Sequence, residues 1–209
     1  MEFLGFLVCG VIVLCLIAAV FFIQAKKDAA RAEAMRSRGW RYIKGTRGFE
    51  IVPKEGVPWS LTLVKNKGKS QSQSATTSWQ VPARSSGVVL VGPKLPSALA
   101  NMNFGGSMAQ FLLRALLGED AGDLADIKEM QTGSFALQER FTVLAETQAD
   151  ADTFVTPALE EALLSTLDGT IILKWRDRLQ VRLNRGVWKP QELVDLVEFG
   201  QRISRDHQV

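Results

Sequence analysis

The longest apolar stretch of the chain lies at its N-terminus, from Phe3 to Ile23. These 21 residues include no charged residue and no proline. As an α-helix the stretch would be about 31 Å long, close to the hydrocarbon thickness of a bilayer. It therefore predicts a transmembrane helix within residues 1–24. We expect an uncleaved anchor, because no basic segment precedes the stretch and no clear cleavage site follows it.

Basic residues follow this stretch and are absent before it. Residues 25–38 are rich in Ala, Lys, Arg and Glu, which favour a helix, and they include Lys26, Lys27 and Arg31. The positive-inside rule places such a flank on the cytoplasmic side. The sequence thus predicts a single-pass protein of the cell inner membrane, with its N-terminus outside, a basic juxtamembrane helix and a cytoplasmic C-terminal domain.

Beyond residue 38 shorter apolar segments predict strands. Trp59, Leu61 and Leu63 are separated by Ser60 and Thr62, the period of two that is typical of a strand with one buried face. Similar segments predict strands at 40–44, 49–52, 76–81 and 88–91. Helical spacing then predicts a helix over 107–117 and a second short helix over 124–130.

The last third of the chain carries clear boundary signals. Thr156 and Pro157 predict a helix start, with the hydroxyl as N-cap and the proline in the first turn. We also expect a strand at 141–145, a hairpin formed by 170–175 and 179–183, and a final helix that begins at Pro190. The whole order predicts an α+β fold, with a single N-terminal transmembrane helix. A soluble domain at residues 39–206 would follow, with a largely antiparallel sheet and three to four helices.

The positive charge of the chain is concentrated near the apolar stretch. The net charge is +3, but residues 24–50 alone hold eight Lys and Arg against three Asp and Glu. This position favours anionic lipid headgroups over nucleic acid as a partner. We therefore expect the membrane and a protein partner to bind this chain, and no nucleic acid.

Few residues could support catalysis. His207 is the sole histidine, and both cysteines, Cys9 and Cys15, lie within the apolar stretch. The chain has no phosphate-binding loop motif and no dinucleotide-binding glycine motif. We predict no catalytic residue, no metal site and no cofactor, and hence no enzyme.

An acidic group follows the predicted strand at 141–145. Asp150 and Asp152, with Glu146 nearby, could hold a divalent cation through their oxygen atoms. Their spacing matches no known calcium loop, so we favour a solvated loop.

The predicted hairpin carries basic residues, among them Lys174, Arg176 and Arg182. On its outer face they could contact an anionic surface together with Lys26, Lys27 and Arg31. Alternatively, their charge could protect a sheet edge from aggregation, which we favour.

Three features of the C-terminal part resemble a known group of proteins. They are the F-x-V-x-A pattern at Phe141–Ala145, the Thr156-Pro157 helix start, and a hairpin followed by a terminal helix. In these features residues 38–205 resemble uncharacterised bacterial single-pass membrane proteins with a cytosolic domain of unknown function. The resemblance implies no activity and no site residues.

Together these patterns favour a membrane-anchored cytoplasmic domain that acts as a non-enzymatic interaction or scaffold module. An alternative is an anionic-lipid surface binder that uses the juxtamembrane basic residues and the 174–185 hairpin. A hydrolase or carboxylate–metal enzyme is the third hypothesis.

Overall fold

The computed structural model describes residues 2–66, 74–83, 87–94, 127–165, 169–175 and 177–207. Within these ranges the chain forms an α+β fold with five helices and a large antiparallel sheet of nine strands. The helices are α1 (Glu2–Arg36), α2 (Phe135–Arg140), α3 (Gln148–Phe154), α4 (Pro157–Leu164) and α5 (Pro190–His207). The strands are β1 (Trp40–Gly45), β2 (Gly48–Pro53), β3 (Ser60–Asn66), β4 (Ser74–Pro82), β5 (Val89–Pro93), β6 (Lys128–Met130), β7 (Phe141–Ala145), β8 (Thr170–Lys174) and β9 (Arg178–Leu183).

The strand order brings the two ends of the chain together in one sheet. The order is β1-β2-β3-β4-β9-β8-β5-β7-β6, and neighbouring strands are antiparallel. Strands β1 to β4 follow one another as consecutive hairpins, whereas the late hairpin β8–β9 lies between β4 and β5. Because of this insertion, the N-terminal strands and the C-terminal segment share one core.

Alternation along the strands sets their register. Leu61 lies opposite Trp79, and Trp79 lies opposite Val181; all three side chains are buried on the same face. Their neighbours, such as Thr62 and Gln180, are less buried. A slip by one residue would place these polar side chains in the core, so the register is strongly specified.

Most of the core lies on the sheet face that the helices cover. One cluster joins the buried side chains of this face to residues of α2 to α5 and to Met35 of α1. A smaller cluster on the opposite face includes Leu90, Leu144 and Leu173. The predicted start of α4 is confirmed, because the Thr156 hydroxyl accepts a hydrogen bond from the Leu159 N–H.

The predicted transmembrane helix at Phe3 to Ile23 is wrong. In the part of the chain that the structure describes, no helix combines the length and the apolar character that crossing a membrane requires. Helix α1 continues beyond the apolar stretch to Arg36, over most of the segment predicted as a juxtamembrane helix, and Asp28 and Arg31 in this charged half are buried against the domain. The predictions of a single-pass topology and of an inner-membrane localisation depend on this transmembrane helix and are therefore also wrong.

A second difference concerns residues 124–130. The described part of this segment contains strand β6, which pairs with β7 and places Met130 opposite Val143. Hydrogen bonding along a sheet edge has outweighed the local helical spacing here. The helix predicted over 107–117 lies outside the described residues.

Gly200 of α5 packs directly against Trp79, and a Cβ at this position would collide with the indole ring. Replacing Gly200 by leucine should therefore lower the free energy of unfolding by about 2–3 kcal/mol, within the range typical of overpacked cores. Denaturant unfolding followed by circular dichroism measures this change. Glu198→Leu is the matched control, because it adds the same side chain to an exposed position of the same helix. Equal stability of the two variants would contradict this packing.

Candidate functional site

A buried ion pair holds the charged half of α1 on the domain. Asp28 and Arg31 are 9% and 6% exposed. Arg31 Nη1 donates to Asp28 Oδ1 at 2.7 Å, and Lys44 Nζ of β1 donates to Asp28 Oδ2 at 2.5 Å. Arg31 Nε donates to the carbonyl oxygen of Trp188 at 2.8 Å. These bonds tie α1 both to the edge strand and to the segment before α5.

Aromatic packing surrounds this ion pair. The Trp188 ring has the Arg31 guanidinium 5.4 Å and the Lys65 ammonium 5.0 Å from its centroid. Phe49 meets Trp188 edge to face at 6.0 Å, and Tyr42 packs on Phe49 at 5.2 Å. Burial raises the pKa of the Tyr42 hydroxyl above its ordinary value, against an opposing hydrogen bond from Arg31. The base of α1 is thus held by charge, hydrogen bonds and ring contacts together.

The apolar part of α1 has a different environment. Seven large apolar side chains between residues 12 and 23, which we call the apolar arm, are between 47% and 71% exposed. They are Ile12, Leu16, Ile17, Val20, Phe21, Phe22 and Ile23. Large contiguous apolar surfaces are rare on monomeric proteins and mark interaction sites. Seven of the eleven exposed large apolar side chains among the described residues belong to the arm.

The six predicted anionic-surface contacts lie in different surroundings. Lys26 and Lys27 are exposed on α1, just beyond the apolar arm, whereas Arg31 is committed to Asp28 and Trp188. Lys174 is half-buried, with its ammonium 5.5 Å from the Phe154 ring centroid. Burial lowers the pKa of Lys174 below its ordinary value, and the negative charge of Asp150 offsets only part of this effect. Arg182 is half-buried on β9, and Arg176 lies outside the described residues.

The hairpin that carries Lys174 and Arg182 is not at a sheet edge. Strand β9 pairs with β4, and β8 pairs with β5. The interpretation of its charges as protection of an edge is therefore wrong, because both outer sides of the hairpin are already hydrogen-bonded.

The acidic group at 146–152 stabilises the start of α3. Asp150 Oδ2 accepts from the Thr147 hydroxyl at 2.6 Å, while that hydroxyl accepts from the Asp150 N–H at 3.1 Å. Asp152 accepts from Gln148 at 2.8 Å. Among the described residues, no cluster of three or more acidic, histidine or cysteine side chains is arranged to hold a metal ion.

A cavity of about 550 Å³, which the sequence analysis did not predict, lies beside the end of α5. Its inner wall is aromatic: Trp40 and Trp59 meet at 5.2 Å with an interplanar angle of 88°, and Trp79 lines the same space. We call it the aromatic cavity. Val81 of β4 and Gln201 of α5 also line it. The sequence places tryptophans at the start of β1, just before β3 and in β4, but only the strand order brings these three side chains together.

The mouth of the aromatic cavity is mainly positive. Arg38, Lys54 and Arg205 line it together with one carboxylate, Glu55, and all four are exposed. No ion pair joins these side chains to another described residue. Deeper in the wall, the indole Nε1 of Trp79 is shielded from solvent and finds no acceptor among the described residues.

Replacing Asp28 by leucine should destabilise the protein by about 3 kcal/mol, because it leaves the Arg31 guanidinium buried without its carboxylate. The double variant Asp28→Leu/Arg31→Met should recover most of this loss, since no buried charge remains unpaired and the ammonium of Lys44 is exposed to water. Denaturant unfolding measures both.

The exposed pair formed by Arg36 and Glu33 on the same helix provides the control. Glu33→Gln should change stability by less than about 1 kcal/mol, as is usual for surface pairs. A similar loss in Asp28→Leu and Glu33→Gln would show that the buried pair does not hold α1 on the domain.

No protein-family model matches the chain, and no curated protein sequence matches it significantly. One solved structure that is similar is the crystal structure of the mycobacterial trehalose monomycolate transport factor A, TtfA. The two are 10% identical with a TM-score of 0.47, over 86% of this chain and 91% of that one. At this level the similarity supports no conclusion about function.

Proposed function

We propose that this protein is a non-enzymatic interaction module that docks a protein partner through its apolar arm. The observation that carries the proposal is the exposure of seven large apolar side chains on one continuous helix. Burying apolar surface contributes about 25 cal/mol per Å². A partner that covers these side chains would therefore gain most of its affinity from them.

The distribution of the exposed side chains indicates the kind of partner. Successive residues of an α-helix are about 100° apart, so Leu16, Ile17 and Phe22 point to different sides of α1. A helix that is apolar all round is suited to burial on all sides rather than along one stripe. The proposed partner therefore supplies apolar helices that pack around the arm.

The base of α1 makes the arm a suitable docking element. The ion pair of Asp28 with Arg31 and the hydrogen bond from Arg31 to Trp188 hold the helix at a defined position on the domain. A partner bound to the arm would thus also hold the domain in a defined orientation. The alternative of a lipid-surface binder is weakened, because Arg31, one of its proposed contacts, is buried in this ion pair.

Placing a photo-crosslinking amino acid at Leu16 or Phe22 of the full chain should yield covalent adducts with a discrete protein partner in cells. Phe22→Glu should reduce recovery of that partner by at least about tenfold, because a charge in a buried apolar contact is strongly unfavourable. Adducts are identified by mass spectrometry of the purified products.

Phe135→Glu is the matched control, since Phe135 is 76% exposed but belongs to α2. It should leave recovery unchanged. Absence of protein adducts at both arm positions, or equal loss in the two glutamate variants, would contradict the proposal.

A further inference from the structure

The aromatic cavity shares no residue with the apolar arm, and docking of a partner does not account for it. Its volume of about 550 Å³ falls within the range of about 300–1,000 Å³ that is usual for small-molecule sites. Half-buried Trp40 and the edge of Trp59 face it, and Trp79 lies fully buried in the wall behind them. An apolar chain or ring is therefore the chemistry that this interior favours.

The tryptophan cluster is held in place by the surrounding core. Trp79 is fully buried, and Gly200 allows α5 to approach its ring. Trp59 is held edge to face against Trp40. The wall is thus built before any ligand arrives, which reduces the entropy that binding would otherwise cost.

The mouth of the aromatic cavity favours negatively charged ligands. It carries three cationic side chains, Arg38, Lys54 and Arg205, and one carboxylate, that of Glu55. None of them is neutralised by an ion pair with another described residue. A negatively charged group at the mouth would be attracted, and a positively charged one repelled.

We infer that the aromatic cavity is a binding site for an amphiphilic anion, namely a carboxylate with a single long apolar chain. The chain lies against Trp40 and Trp59, and the carboxylate stays at the mouth near Lys54 and Arg205. No covalent step is involved. Ligand binding in this cavity does not require a partner on the apolar arm.

Titration of the full chain with dodecanoate below its micelle concentration tests the inference. Isothermal calorimetry measures the affinity, and tryptophan fluorescence reports the location, because three of the five tryptophans line the cavity. Dodecanoate should bind saturably with one site. Dodecyltrimethylammonium has the same chain with the opposite charge, and it should bind at least about tenfold more weakly. Butanoate, which lacks the long chain, should show no saturable binding.

Variants distinguish the cavity from non-specific adsorption on the apolar arm. Lys54→Glu/Arg205→Glu should weaken dodecanoate binding by about tenfold or more, because two attractive charges become repulsive. Arg202→Glu, on the same helix outside the cavity, should retain the wild-type affinity. Gln201→Phe should abolish binding, because Gln201 lines the cavity and the larger side chain would fill part of it.

Dodecanoate binding by the wild type and by the variants decides whether the aromatic cavity is the site. Saturable binding that is lost in Gln201→Phe and weakened by the double charge reversal supports the inference. Absence of dodecanoate binding, equal affinity for the cationic amphiphile, or binding that survives both changes overturns it. If Gln201→Phe fails to fold, the charge-reversal variant and Arg202→Glu still decide between these results. A negative result here leaves the crosslinking at Leu16 and Phe22 unaffected, so the two proposals fail separately.

Discussion

The pairing of β9 with β4 is the constraint on which this structure depends. It inserts a late hairpin between strands that are adjacent in sequence order and joins both parts of the chain in one core. Trp79 lies at this junction, opposite Leu61 on one side and Val181 on the other. Gly200 then lets α5 close over the indole. Because these contacts join distant parts of the sequence, much of the fold's loop-closure entropy is lost in forming them.

The same junction positions the aromatic cavity. Trp79 and Val81 of β4 form its inner side, and α5 supplies Gln201 and Arg205 from one helical face. The mouth charges come from residues that need not contribute to the core and remain exposed. A site of this kind can vary in charge and size without loss of the fold, since its apolar wall is part of the core and its rim is not.

Local patterns in the sequence predicted individual helices and strands better than they predicted which strands pair in the sheet. Alternation at Trp59, Leu61 and Leu63 matches β3, and Thr156 with Pro157 begins α4 as expected. The interior position of the β8–β9 hairpin depends on pairing over about a hundred residues, which no local pattern encodes. Strand β6 was missed because an edge position decided its conformation. The transmembrane prediction for the apolar stretch was wrong. The burial of Arg31 was missed because Trp188, which accepts from it, lies 157 residues away, and Lys44, which completes the cluster by donating to Asp28, comes from β1.

One face of the edge strand β1 connects the two proposed sites. Trp40, Tyr42 and Lys44 alternate along this strand and so share a face. Trp40 belongs to the aromatic cavity, Tyr42 packs on Phe49, and Lys44 binds Asp28 at the base of α1. Because β1 has a strand neighbour on one side only, it has fewer restraints than the interior strands.

A ligand that shifts Trp40 would act on the same strand that helps to hold α1. Coupling between the sites would require two arrangements of β1 with different affinities for the ligand. The ion pair of Lys44 with Asp28 is the contact through which such a difference would reach the arm.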